Sequence, residues 1–145
     1  MEQVSQLERN SFRPQCTQPD LNDLISANCL ILKISILRIC SHPAWQNDSL
    51  PLPPSLFESR IQEYATSALD HLEKRIGGQS GLEAVAYLSH LMALVLEIGD
   101  VDGRGRVLRL LERIRGMGFK VAKMCLVDAG LVWETFGPRV ETGKS

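Results

Sequence analysis

The stretch that decides the fold is "LEAVAYLSHLMALVLEIG", residues 82–99, followed directly by "DVDGRGRVLRLLERIRGMG", residues 100–118. The first part is apolar at nearly every position, which predicts a helix over 81–98 at the centre of the molecule. The second part predicts a helix over 103–116 with one buried face. Its apolar residues recur at the i, i+3, i+4, i+7 spacing, as Val107, Leu110, Leu111 and Ile114.

Three further helices are predicted around these two. Residues 20–40 are apolar at helical spacing on several sides, so we expect that helix to be buried over most of its surface. Residues 55–76 and 119–136 are amphipathic, and the sequences "SLFE" and "SGLE", which begin at Ser55 and Ser80, are typical of helix capping boxes. The sequence therefore predicts an all-α fold, a bundle of about five helices at 20–40, 55–76, 81–98, 103–116 and 119–136.

The length and composition are those of one globular domain. The chain has 145 residues, of which 44% are hydrophobic and 23% charged, with a formal net charge of −1. This charge does not point to nucleic acid or to a membrane surface. We expect a flexible N-terminal segment at 1–19, a single helical domain at 20–137 with a Pro-rich connector at 41–54, and a polar tail at 138–145.

The cysteines indicate an intracellular protein with reduced thiols. They form no CxxC pair and no cluster with histidine, and no signal peptide precedes them; they are Cys16, Cys29, Cys40 and Cys125. The longest apolar run contains Asn28, Lys33 and Arg38, so it favours a core helix over a membrane-spanning one.

The sequence "GDVDGRGR", residues 99–106, has the first features of a calcium loop. Asp100, Asp102 and the glycine at 105 match its pattern, but Arg104 and Leu111 occupy two positions where oxygen ligands are required. We therefore expect no metal here. The stretch is better explained as a turn between two helices, with an aspartate capping the second helix.

No other motif indicates chemistry. His42, His71 and His90 have no partner at a catalytic or metal-binding spacing, and we interpret His90 as a helix-packing residue. The sequence "GGQSG", residues 77–81, lacks the lysine and the preceding strand of a phosphate loop. We therefore expect no catalytic residues, no cofactor and no metal, and the chain is predicted not to be an enzyme.

Basic residues cluster in one part of the chain. Seven of them lie between residues 101 and 123, opposed only by Asp102 and Glu112. Arg106, Arg109 and Arg113 recur at helical spacing and form a candidate basic face for an acidic protein partner. The alternative is an ordinary solvated helix surface.

Residues 82–134 resemble the C-terminal part of the regulatory (middle homology) region of fungal transcription factors with a binuclear zinc cluster. The pattern is an apolar helix ending in glycine, a charged helix, and a last helix ending in tryptophan and an acid. The matching positions are Gly99, Arg106, Val107, Leu110, Leu111, Ile114, Trp133 and Glu134. The resemblance implies a non-catalytic regulatory domain in the nucleus; without it, we would place the chain in the cytoplasm.

The six-cysteine DNA-binding cluster of that family is absent from these 145 residues. We therefore expect no sequence-specific DNA binding by this chain alone, and interpret it as a truncated or fragmentary gene product or an unrelated helical protein. A protein partner or self-association is expected, because residues 82–98 are more apolar than five short helices can cover. Two alternatives stay open: a general interaction module that uses the basic face, and a small ligand-binding protein.

Overall fold

The computed structural model describes residues 18–46, 53–78 and 82–137, and all regular structure within them is helical. This confirms the predicted all-α bundle of about five helices. The third predicted helix is divided by a turn at Tyr87 into two shorter helices. A 3-10 turn at Pro43–Trp45 follows the first helix. The α-helices are α1 (Gln18–Ser41), α2 (Pro54–Gly78), α3 (Leu82–Ala86), α4 (Leu88–Glu97), α5 (Val101–Gly116) and α6 (Lys120–Phe136).

The helix ends differ slightly from the predicted ones. Helix α2 begins at Pro54, so Ser55 lies inside the first turn instead of at the cap; Ser80 lies outside the described residues. Helix α5 begins two residues earlier than predicted because Asp100 is its cap: Gly103 N donates to Asp100 Oδ2 over 2.6 Å. Such a bond satisfies one of the free N–H groups at a helix start. The predicted segments 1–19 and 138–145 lie outside the described residues apart from 18 and 19, which belong to α1.

Helix α4 lies at the centre of the bundle, as its composition predicts. It contacts α1, α2, α5 and α6, whereas α1 packs chiefly on α2 and α6 chiefly on α5 and α4. The core is wholly apolar among the described residues. Its largest fully buried side chains are Ile61, Leu69, Leu72, Ile76, Leu91, Leu94, Val95, Val107, Leu111 and Ile114. Each stabilises the fold by roughly 1.5–3 kcal/mol relative to exposure.

Helix α1 is the exception, and the predicted burial on most of its sides is wrong. Within residues 22–41 of this helix, Ala27 and Ile34 are the only buried residues. The outward residues Ile25, Leu32 and Ile36 keep 50–62% of their surface in solvent. The physical reason is position: α1 lies at the edge of the bundle and contacts neighbours, α2 and α4, on one side only.

Among the described residues, one segment, Asn22–Ser41 of α1, is long and apolar enough to cross a membrane, and 11% of its most apolar window is buried. Its charged residues are tied into the bundle. Asp23 contacts His71 of α2 over 2.8 Å, and Arg38 forms ion pairs with α2 and α4. These contacts favour a helix of the bundle over a membrane-spanning one, although α1 lies at the edge of the bundle and is not the core helix that the sequence predicts.

Candidate interaction surfaces

The predicted basic face lies against α2 and is partly used inside the molecule. Arg106 donates from Nε to Glu73 Oε1 over 2.9 Å and from Nη2 to Glu73 Oε2 over 2.7 Å, and it also bonds Asp70. Hydrogen bonds and charge from Glu73, followed by those from Asp70, raise the pKa of the guanidinium despite its burial. The Arg106 side chain is only 18% exposed. Its contacts with Glu73 and Asp70 link α5 to α2.

The other two residues of the predicted face differ from each other. Arg113 donates from Nη2 to Gly77 O over 2.9 Å, at the carboxyl end of α2, where the helix dipole favours a positive charge. Arg109 is exposed and forms no hydrogen bond or ion pair with any residue that the structure describes. The partner-binding role of this face stays a prediction. Of its three arginines, Arg109 is the one that a partner could pair without displacing an internal contact.

A second arginine cluster, which the sequence did not predict, joins α1, α2 and α4. Arg38 bonds Glu58 over 2.9 Å and Glu97 over 2.5 Å, and Gln62 donates to the carbonyl of Glu97 over 2.7 Å. The contact with Glu97, then that with Glu58, raises the pKa of Arg38. Glu58 and Glu97 are 20 and 59 positions from Arg38 in sequence, so no local pattern could have found the cluster.

An open cavity of about 270 Å³ lies between α4 and α6. The Arg104 guanidinium lies 5.3 Å from the centre of the Trp133 ring and donates to Gly137 O over 2.6 Å. The Trp133 indole N–H donates to Val95 O over 2.9 Å. Arg104 and Trp133 therefore join the end of α4 and the start of α5 to α6. Tyr87 and His90 do not line this cavity. His90, which the sequence predicts to be a helix-packing residue, contacts Asn28 of α1 over 2.5 Å.

The turn that resembled a calcium loop has a structural role. Asp100 caps α5, as predicted for an aspartate of this turn, and Asp102 lies in the first turn of the same helix. Within the described part of the chain, no three His, Cys, Asp or Glu residues are grouped so that they could hold a metal ion.

Two helix faces leave aliphatic side chains uncovered. The α1 stripe consists of Ile25, Cys29, Leu32, Ile36 and Ile39, all exposed. The α6 ridge consists of Met124, Val127 and Leu131, which keep 56–67% of their surface in solvent. The sequence predicts an uncovered apolar surface but associates it with residues 82–98. Among residues 84–98, whose burial the structure describes, Leu96 is the exposed large hydrophobic residue.

No family model, curated protein or solved structure matches the chain. The resemblance to the fungal regulatory region therefore rests on the sequence pattern alone.

Proposed function

We propose that this chain is a non-catalytic helical domain that regulates other proteins by binding them. It would correspond to the C-terminal part of a regulatory region of the kind found in fungal zinc-cluster transcription factors, and would act in the nucleus. The observation that carries the proposal is the α6 ridge. Contiguous apolar surface that a bundle leaves in solvent is typical of protein-binding sites.

The α6 ridge fits one recognised mode of protein binding. Met124, Val127 and Leu131 follow the i, i+3, i+7 spacing, and rotation by about 100° per residue places them within one narrow arc of the helix. Methionine adapts to differently shaped apolar partners. The flanking Lys120 and Lys123 are exposed. The occupant we propose is an amphipathic partner helix with acidic residues beside its apolar face.

The basic face is the alternative docking surface, and the contacts of its arginines weigh against it. Arg106 and Arg113 are held by α2, so an acidic partner would either displace them or meet Arg109 alone. A single exposed charge pair contributes about 0–1 kcal/mol. That is too little to hold a partner without an apolar contact.

A reporter assay tests the proposal and separates the two surfaces. The full chain is fused to a heterologous DNA-binding domain, and transcription is compared with that of the DNA-binding domain alone. We expect the fusion to change transcription, Leu131→Lys to abolish that effect, and Arg109→Glu to leave it nearly unchanged. An inert wild-type fusion would contradict the regulatory proposal, and loss with Arg109→Glu alone would support the basic face instead.

A further inference from the structure

The α1 stripe has the spacing of a coiled-coil seam. Its residues are separated by four, three, four and three positions, which is the alternation of a and d sites in a heptad repeat. At about 100° per residue they fall within an arc of about 80°, on the side of α1 opposite the buried Ala27 and Ile34. Heptad position a holds Asn22, Cys29 and Ile36, and position d holds Ile25, Leu32 and Ile39.

The bundle holds this stripe outward. Near the start of α1, Asp23 bonds His71 of α2 over 2.8 Å. Near its end, Arg38 pairs with acids on α2 and α4. Between them, the Lys33 ammonium lies 5.3 Å from the centre of the Tyr64 ring. Rotating α1 to bury the stripe would break all three contacts, so the described residues hold the stripe away from the core.

The charges around the stripe favour a second copy of this chain as the occupant. The flanking e and g positions hold Ser26, Asn28 and Ser35, which are uncharged, and Lys33, which is engaged with a tyrosine ring. Two identical helices can therefore meet along this seam without opposing like charges. A membrane-surface helix would instead carry several lysines or arginines along the borders of its apolar face.

The composition of the seam is mixed. Ile36 at position a and Leu32 at position d follow the preference of two-stranded coiled coils, whereas Ile25 and Ile39 at position d follow that of larger assemblies. A polar asparagine at an a position, here Asn22, fixes the register between paired helices. The 24 residues of α1 extend about 36 Å. The area that one face of a helix of this length can bury is smaller than the roughly 800 Å² that each partner contributes to a standard interface. The association should therefore be reversible and depend on concentration.

We propose that two copies of this chain associate through their α1 stripes. The inference goes beyond the proposed function, which concerns the α6 ridge, and either can fail without the other. In the dimer α1 is covered on both sides, which reconciles its apolar sequence with its exposed position in the monomer.

Light scattering after size exclusion tests the dimer on the full chain. At about 100 µM we expect the wild-type mass to approach twice 16.1 kDa and to fall toward 16.1 kDa on dilution, as mass action requires. Leu32→Glu should stay monomeric with an unchanged helical circular dichroism spectrum, because residue 32 is 62% exposed. Ile25→Gln, a milder change in the same seam, should weaken the dimer about tenfold or more.

Leu131→Glu is the matched control, since this leucine of the α6 ridge is 56% exposed and should not affect the dimer. A wild-type monomer at every concentration would overturn the proposal. Equal dissociation by Leu131→Glu and Leu32→Glu would overturn it as well. A third contrary outcome is a monomer that sediments with neutral phosphatidylcholine vesicles through residue 32, which would make lipid the occupant.

Discussion

Gly103 lies in the first turn of α5, against the turn that joins α4 to α5, and its replacement by alanine tests how closely the two are packed. A Cβ atom added there would lie 2.5 Å from Ile98 Cγ2 and 2.8 Å from Asp100 Oδ1. Ile98 is 4% exposed, and Asp100 holds the cap of α5, so neither side chain can move without loss. Gly103→Ala must therefore shift the buried isoleucine, the cap, or both.

The magnitude follows from opposing effects. Alanine in place of a helical glycine stabilises by about 1 kcal/mol. Overpacking a buried site costs about 1–3 kcal/mol, and loss of an aspartate cap costs about 1 kcal/mol. We expect Gly103→Ala to lower the free energy of unfolding by about 1–2 kcal/mol.

Gly105, two residues further along α5, is the matched control. A Cβ atom there would lie 3.5 Å from Nη1 of the flexible Arg109 side chain, an ordinary contact. Gly105→Ala should therefore stabilise the protein by about 0.5–1 kcal/mol. Urea denaturation followed by circular dichroism measures both variants. If Gly103→Ala proves as stable as Gly105→Ala, the close packing of Ile98 and Asp100 around residue 103 is refuted.

Three further perturbations address the ion pairs and the thiols. Arg38→Met should lower the free energy of unfolding by about 2 kcal/mol, since it leaves the nearly buried carboxylate of Glu97 without its partner. A change below about 0.5 kcal/mol would mean that the ion pair contributes no more than an exposed salt bridge does. Arg106→Met should destabilise by about 1 kcal/mol and Arg109→Met by almost nothing, and equal losses would show that the α2 contact contributes no stability. Cys125 should react with iodoacetamide more slowly than the exposed Cys40 at pH 8, because burial and the charge of Asp128 raise the pKa of its thiol. Mass spectrometry of the labelled peptides measures both rates, and faster labelling of Cys125 would contradict this description of its surroundings.

The helices and the central place of α4 could be predicted from the sequence because they depend on local pattern. An apolar run ended by Gly99 is consistent with a helix covered by neighbours, and Asp100 is a standard capping residue. The contacts of Arg106 could not be predicted in this way. Its acidic partners Asp70 and Glu73 are 36 and 33 residues away, on a helix whose rotation is fixed by packing.

The exposed position of α1 could not be predicted either, because it also depends on how the helices pack. Periodicity reports which sides of a helix are apolar, and α1 is apolar on nearly all of them, but periodicity does not report how many neighbours the fold supplies. The structure supplies neighbours on one side only, at Ala27 and Ile34. Pairing with a second copy would supply the other side.

Amide hydrogen exchange at two protein concentrations tests that pairing most directly, because it locates any protection along the chain. We expect peptides within residues 22–40 to exchange several-fold more slowly in the concentrated sample than in the dilute one, and peptides within residues 120–136 to exchange equally in both. Equal exchange of residues 22–40 at concentrations on either side of about 100 µM, or protection confined to residues 120–136, would contradict an α1 interface.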